Sequence, residues 1–304
     1  MRVPRGRRAA AWLALLAAIG AGAFVILTRP SPLDASAIPP HRPDLARGEA
    51  LFHAGSCLAC HAAPKDAPER REGVPSGGNA FPTPVGVFYP QNLTPDAETG
   101  LGLWSDLDFA NAMVRGISPA GLHYFPAFPY PSYHFMPITD LLDLRGYLMS
   151  LPPVRSPNRE PDMPLVSVAR RGVGLWKRWG LDEGTFSPDP DRDAAWNRGA
   201  YLVRGPGHCG ECHTPRNWLM VPDESRYLAG GPHPRGEGSV PSLRGLVARE
   251  RYEDAADLTL ALQYGETFGY DKLSSGGMGD IQASLARLEE GDVRAIAEYL
   301  VSLD

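Results

Sequence analysis

All four cysteines of this 304-residue chain fall in two copies of one short pattern, Cys57-Leu-Ala-Cys60-His61 and Cys209-Gly-Glu-Cys212-His213. No other feature restricts the possible folds as strongly. Two adjacent pairs make a poor disulfide framework, and disulfides leave both histidines unexplained. A zinc site of four thiolates would need the pairs to converge across 148 intervening residues, far outside zinc-finger spacing. A thioredoxin-like redox pair belongs in a strand-helix-strand setting, which neither copy has. Covalent haem attachment accounts for every element: two thiols three positions apart on a helical turn add to the two vinyl groups of one porphyrin, and the next imidazole reaches the iron from the same face. The pattern therefore predicts two covalently bound haem c groups, held by Cys57, Cys60 and His61 and by Cys209, Cys212 and His213, with the histidines as iron ligands.

The flanks of the two motifs also repeat. "LARGEALFHAGSC" leads into the first and "WNRGAYLVRGPGHC" into the second, with an Arg-Gly pair upstream in each. Downstream, "DLLDLRGYLMSL" (140–151) and "DVRAIAEYLVSL" (292–303) align without a gap, and "WSDLDFANAMVRG" (104–116) resembles "YEDAADLTLALQYG" (252–265), both ending at a glycine suited to a helix C-terminus. Leu141, Leu144, Leu148 and Leu151 recur at helical spacing, as do Val293, Ile296, Ala297 and Leu300. Gly48 and Gly199 are expected where the first and last helices of each half cross, with Tyr147 and Tyr299 filling the crossing.

An Arg-Gly helix leading into Cys-x-x-Cys-His, followed late by a methionine and a Tyr-Leu helix, resembles the class I cytochrome c fold, present twice. Residues 44–154 and 196–304 resemble more closely the cytochrome c subunits of membrane-bound alcohol, aldehyde and gluconate dehydrogenases, through "TPVGVFYPQNLTPDAETGLGLWSDLDFANAMVRG" and "YFPAFPYPSY". The resemblance implies an all-α fold of two tandem domains and an electron-transfer role. It is specific for fold and haems and weaker for the partner, because those subunits typically carry three haems and this chain encodes two.

Each iron has a second axial face, where methionine sulfur would raise the reduction potential. Met278, expected in a glycine-rich loop, "SSGGMGDIQ", 65 residues after His213, is the candidate in the second half. In the first half Met136, in "HFMPITD", stands just before the last helix, in the order Met278 has in its own repeat. His134 competes, since imidazole is also an axial ligand. Met113 and Met149 fall inside predicted helices and read as core. Asn92, Trp104 and Tyr130 are pocket candidates equally explained by packing.

The N-terminal thirty residues hold five of the 30 basic side chains and none of the 35 acidic ones, leaving 25 against 35 in the rest. Such an acidic body has no electrostatic footprint for nucleic acid. Residues 9–27 lack charge and, as a helix, reach about 28 Å, close to the hydrocarbon thickness of a bilayer. The arginines before them would keep that end cytoplasmic. Residues 1–30 thus read as an uncleaved anchor, the rival being a signal peptide cut near Ala21-Gly22-Ala23; either puts the body in the periplasm. Residues 31–43 read as a proline-rich tether, and 155–195 as a linker with one helix, "VSVARRGVGLWKRWG". That helix either packs its tryptophans between the domains and solvates its charges, or docks on lipid headgroups or a protein.

No acid-base pair, phosphate loop or Ser-His-Asp arrangement suggests substrate chemistry. The expected role is that of a membrane-tethered dihaem carrier of single electrons, from a dehydrogenase or quinol-linked donor to a terminal acceptor such as an oxidase. The rival is a haem enzyme, such as a dihaem peroxidase or a thiosulfate-oxidising cytochrome.

Overall fold

A computed structural model describes residues 5–68, 70–181, 184–234, 236, 238–265 and 277–303. The apolar N-terminal run forms helix α1 (Arg5–Leu27), with a mean hydropathy of 2.3 over a membrane-length window and no burial against the rest of the chain. Helix α2 (Leu45–Ala54) starts at Asp44, whose carboxylate accepts from Ala46 N and Arg47 N and so satisfies two of the unpaired amides of the first turn. The first cysteine motif is the short helix α3 (Cys57–His61), followed by a small antiparallel hairpin of β1 (Phe81–Thr83) and β2 (Gly86–Phe88) in which Phe81 faces Phe88. Helix α4 (Asp106–Ala110) opens on a reciprocal Ser105–Asp108 capping box and runs into a π-helical stretch, Asn111–Arg115, that ends at Gly116 in the left-handed conformation. Then come α5 (Tyr130–Tyr133), α6 (Ile138–Ser150) and the linker helix α7 (Val166–Gly180).

The second half repeats this order with α8 (Ala194–Arg204), capped by Asp193, and α9 (Gly210–His213) on the second motif. Next come a two-residue hairpin of β3 (Gly231–Pro232) and β4 (Ser239–Val240), and α10 (Ala255–Tyr264), which ends at left-handed Gly265. Helices α11 (Met278–Leu285) and α12 (Glu290–Val301) complete it. The chain is helix-rich, and the two hairpins amend the all-helical expectation. They lie in the stretches that follow each motif.

Glycine sets the geometry of both long-helix crossings. A β-carbon on Gly48 would stand 2.2 Å from Asp143 O, and one on Gly199 would stand 1.9 Å from Ala295 O. Tyr147 Cβ and Tyr299 Cβ each come within 2.8 Å of those same positions, so the tyrosines line the crossings as the repeat implies. The arginine beside each glycine pairs with the first aspartate of the last helix. Arg47 Nη1 lies 3.3 Å from Asp140 Oδ1, and Arg198 grips Asp292 bidentately at 2.8 and 2.7 Å. Leu141, Leu144 and Leu148 are buried, as are Val293, Ile296, Ala297 and Leu300, whereas Leu151 is half-buried beyond the end of α6.

One apolar cluster runs through both halves, from Leu51 and Phe52 through Met136 to Leu202 and Ile296. Polar bonds cross the same seam: Tyr201 Oη donates to Asp140 Oδ2 at 2.5 Å, and Ser132 Oγ donates to Glu211 Oε1 at 3.0 Å. The linker helix splits its tryptophans. Trp176 turns inward, its ring edge-on to Tyr130 and its Nε1 donating to Leu219 O, while Trp179 is 65% exposed. Its charges also make specific bonds: Lys177 Nζ donates to Gly116 O, Arg171 Nε to Thr28 Oγ1, and the exposed Arg178, through Nε, to Leu27 O.

Candidate haem attachment sites

Each motif is entered through a residue in the left-handed region, Ser56 at φ 46° and His208 at φ 39°. A side chain there is strained, so the tertiary structure holds both turns in place. The turn redirects the chain after α2 and α8, and the cysteines then sit three apart on a single helical turn. No disulfide joins the four cysteines, and all are half-buried. Burial pushes Cys57 and Cys209 up to about 12, with their partners Cys60 and Cys212 adding to the shift, so both stay protonated at neutral pH.

The histidines are clamped in the same way. His61 Nδ1 lies 2.6 Å from Gln91 O, and His213 Nδ1 lies 2.8 Å from Pro241 O. A carbonyl can only accept, so Nδ1 carries the proton and the Nε2 lone pair is left for a metal. Burial lowers the pKa of both rings and keeps them neutral, the state in which imidazole ligates. The backbone adds a second tie: His61 O accepts from Gly77 N at 2.6 Å and His213 O from Gly230 N at 2.7 Å. Gly77 (φ 76°) and Gly230 (φ 74°) lie so close to the segments carrying Gln91 and Pro241 that a β-carbon on either would come within 2.6 Å of that backbone. Sequence reasoning missed this clamp because its acceptors are main-chain atoms. The signal was present in the Gly-Gly pairs 77–78 and 230–231, which begin 16 and 17 residues after their histidines.

Met136 is buried in the core at 2% exposure, between α5 and α6, and packs on the second half: a β-carbon on Gly205 would stand 3.5 Å from Met136 Cγ. His134 is also buried, at the C-cap of α5, with its ring 4.0 Å from that of Phe135. Met278 does not lie in a loop; it is the half-buried first residue of α11, and residues 266–276 before it fall outside the described residues. Met113 lies buried in the π-helical stretch. Asn92 is used up inside the first half, donating to Val154 O and Thr99 Oγ1 and accepting from Thr94 N. Trp104 is half-buried, and Tyr130 is buried beside Gly116.

The two motifs adjoin. His208 Nε2 lies 3.2 Å from Gly55 O, and a β-carbon on Gly55 would come 3.3 Å from Pro206 O. Tyr133 stands edge-on to His208 at 5.7 Å, and burial pushes the pKa of its hydroxyl well up. Glu211, inside the second motif, is held by Arg216 at 2.7 Å as well as by Ser132 of the first half.

These residues fit two covalently held c-type haems. Each site offers paired thiols, a neutral oriented imidazole and adjoining aromatic rings. Tyr227 packs on Gly210 within the second motif, and its buried hydroxyl has no protein partner among the described residues, a polar atom that a bound group would satisfy. Among the described residues no three His, Cys, Asp or Glu side chains converge as a metal site, so the four thiols do not assemble into a zinc centre.

No protein-family model matches the chain. It is 39% identical over 300 residues to the "Diheme cytochrome c-type" of Cereibacter sphaeroides, covering 97% of both chains. It is 33% identical to the fructose dehydrogenase cytochrome subunit of Gluconobacter japonicus, of which it spans 60%, and 36% identical over 271 residues to the gluconate 2-dehydrogenase cytochrome c subunit of Pantoea cypripedii, of which it spans 59%. With two like candidate sites and a relative 39% identical over 97% of its length, the chain belongs to the dihaem c-type cytochromes.

Proposed function

We propose that the chain passes single electrons on the periplasmic side of a membrane, from a membrane-bound dehydrogenase or quinol-linked donor to a terminal acceptor. In this reading residues 44–154 and 196–304 are tandem class I cytochrome c domains, joined by 155–195 and tethered through residues 1–43. His61 and Met136 are the axial ligands of one iron, and His213 and Met278 those of the other. Bound haem supplies a one-electron iron couple, and the residues supply its ligands, burial and spacing. The observation that carries the reading is the repeated histidine clamp on two motifs that touch at Gly55 and His208. Two oriented imidazoles in one rigid seam suit passage of an electron within the molecule. The names of the dehydrogenase cytochromes support the choice of donor, although the chain spans only part of each.

The test is the holoprotein carrying Met136→Ala or Met278→Ala. Each substitution should change the ligation of one haem of the two, halving the far-red absorption of sulfur-ligated ferric iron, while total haem stays at two per chain. An unchanged spectrum in Met136→Ala returns that residue to core packing.

A further inference from the structure

Helix α7 carries an apolar stripe that the described residues leave largely open, with Leu175 in it half-buried. Leu165, just ahead of the helix, and Val168, Gly172, Leu175 and Trp179 recur at spacings of three and four, which places them along one side over about 21 Å. Leu165 is 78%, Val168 61% and Trp179 65% exposed, and a β-carbon on Gly172 would meet nothing within 4 Å. The inward side is built differently, with Val173 buried and Gly174 pressed against Thr28 and His123.

The position of this stripe identifies its occupant. Arg171 Nη2 donates to Val25 O and Arg178 Nε to Leu27 O, while His123 Nε2 lies 2.9 Å from Thr28 O, so α7 caps the last turn of α1. Cations at a helix C-terminus satisfy its unpaired carbonyls and oppose its dipole. The stripe therefore runs past the end of the membrane-length helix, its later residues Gly172, Leu175 and Trp179 each lying one position along from the Arg171, Gly174 and Arg178 that meet that end. The helix also holds four basic residues and no acidic one, on a body where acids outnumber bases. A tryptophan at the end of an apolar stripe with basic flanks is the composition of a helix lying in the headgroup region.

We propose that α7 is a second membrane contact, lying in the outer headgroup layer with Leu165, Val168, Leu175 and Trp179 toward the acyl chains, and that it fixes the angle at which the haem-bearing body stands on the bilayer. This rests on the reading of α1 as a membrane anchor. The four native cysteines are consumed by thioethers in the holoprotein, so an introduced cysteine is the only reactive thiol.

Full-length holoprotein with Val168→Cys, Trp179→Cys, Ile19→Cys or Leu260→Cys is placed in phosphatidylethanolamine–phosphatidylglycerol vesicles containing a lipid with a photoactivatable acyl chain. It is then treated with a charged, membrane-impermeant maleimide. Positions 168 and 179 should lose most of their labelling rate relative to the exposed control at 260, and lipid adducts should appear on the peptide spanning 165–180. Labelling at 168 and 179 as fast as at 260, with Ile19→Cys still protected, overturns the proposal and leaves the anchor standing; labelling at Ile19→Cys overturns the anchor itself. Protection at 168 and 179 that needs a co-purifying protein and yields no lipid adduct assigns the stripe to that partner and also overturns it.

Discussion

Ser56 and His208 hold the same left-handed backbone conformation, each one residue ahead of the first cysteine of its motif. A residue with a β-carbon in that region carries strain of order 1–2 kcal/mol. Ser56 bears a further cost, because its hydroxyl is buried without a partner among the described residues. Ser56→Gly removes both, and denaturant unfolding of the holoprotein should show stabilisation by about 1 kcal/mol; a loss of stability would mean that the serine contributes something the turn itself does not need. His208 differs, since its ring bridges to Gly55 and Tyr133 and is part of the contact between the motifs.

At the scale of elements, the Arg-Gly helix and the closing helix form one device used twice. The glycine permits backbone contact, the neighbouring arginine pairs with an aspartate that starts the closing helix, and a tyrosine covers the crossing. Gly199→Ala would force a β-carbon to 1.9 Å from Ala295 O, a backbone atom that cannot swing aside. Overpacking of this kind costs about 3 kcal/mol, measured as a drop in unfolding free energy followed by haem absorption; an unchanged midpoint would mean the two helices do not meet there. The repeated Arg, Gly, Asp and Tyr were all legible in the sequence, because helical periodicity and a gap-free repeat put them in register. The pairing of Arg47 with Asp140 and of Arg198 with Asp292 was not, since spacing along a chain does not say which charges meet across a crossing. Met278 was misread for a related reason: the glycines before it signal a loop, yet the helix starts at that residue.

At the scale of the whole molecule, the two halves share a seam that no local pattern announced. Met136 rests on Gly205, Ser132 reaches Glu211, and Tyr201 donates to Asp140, each a contact between residues at least 61 positions apart. Removing the Tyr201 hydroxyl leaves a buried carboxylate with one donor fewer, and Tyr201→Phe should cost about 1–3 kcal/mol in chemical denaturation. Both haem signals should shift together, because the bond spans the halves; a shift confined to one signal would mean that they unfold independently. The two motifs themselves were legible, since cysteine and histidine at fixed spacing admit few chemistries. Their main-chain clamps were hidden, because a carbonyl acceptor leaves no trace in residue type.

The central claim is that both irons are closed by two protein ligands, as a carrier requires and a peroxidase-like enzyme does not. Electron paramagnetic resonance of the fully oxidised holoprotein tests it most directly. The account predicts two low-spin ferric signals of equal weight, unchanged by cyanide on the timescale of mixing. A high-spin signal from either haem that converts rapidly with cyanide would contradict it.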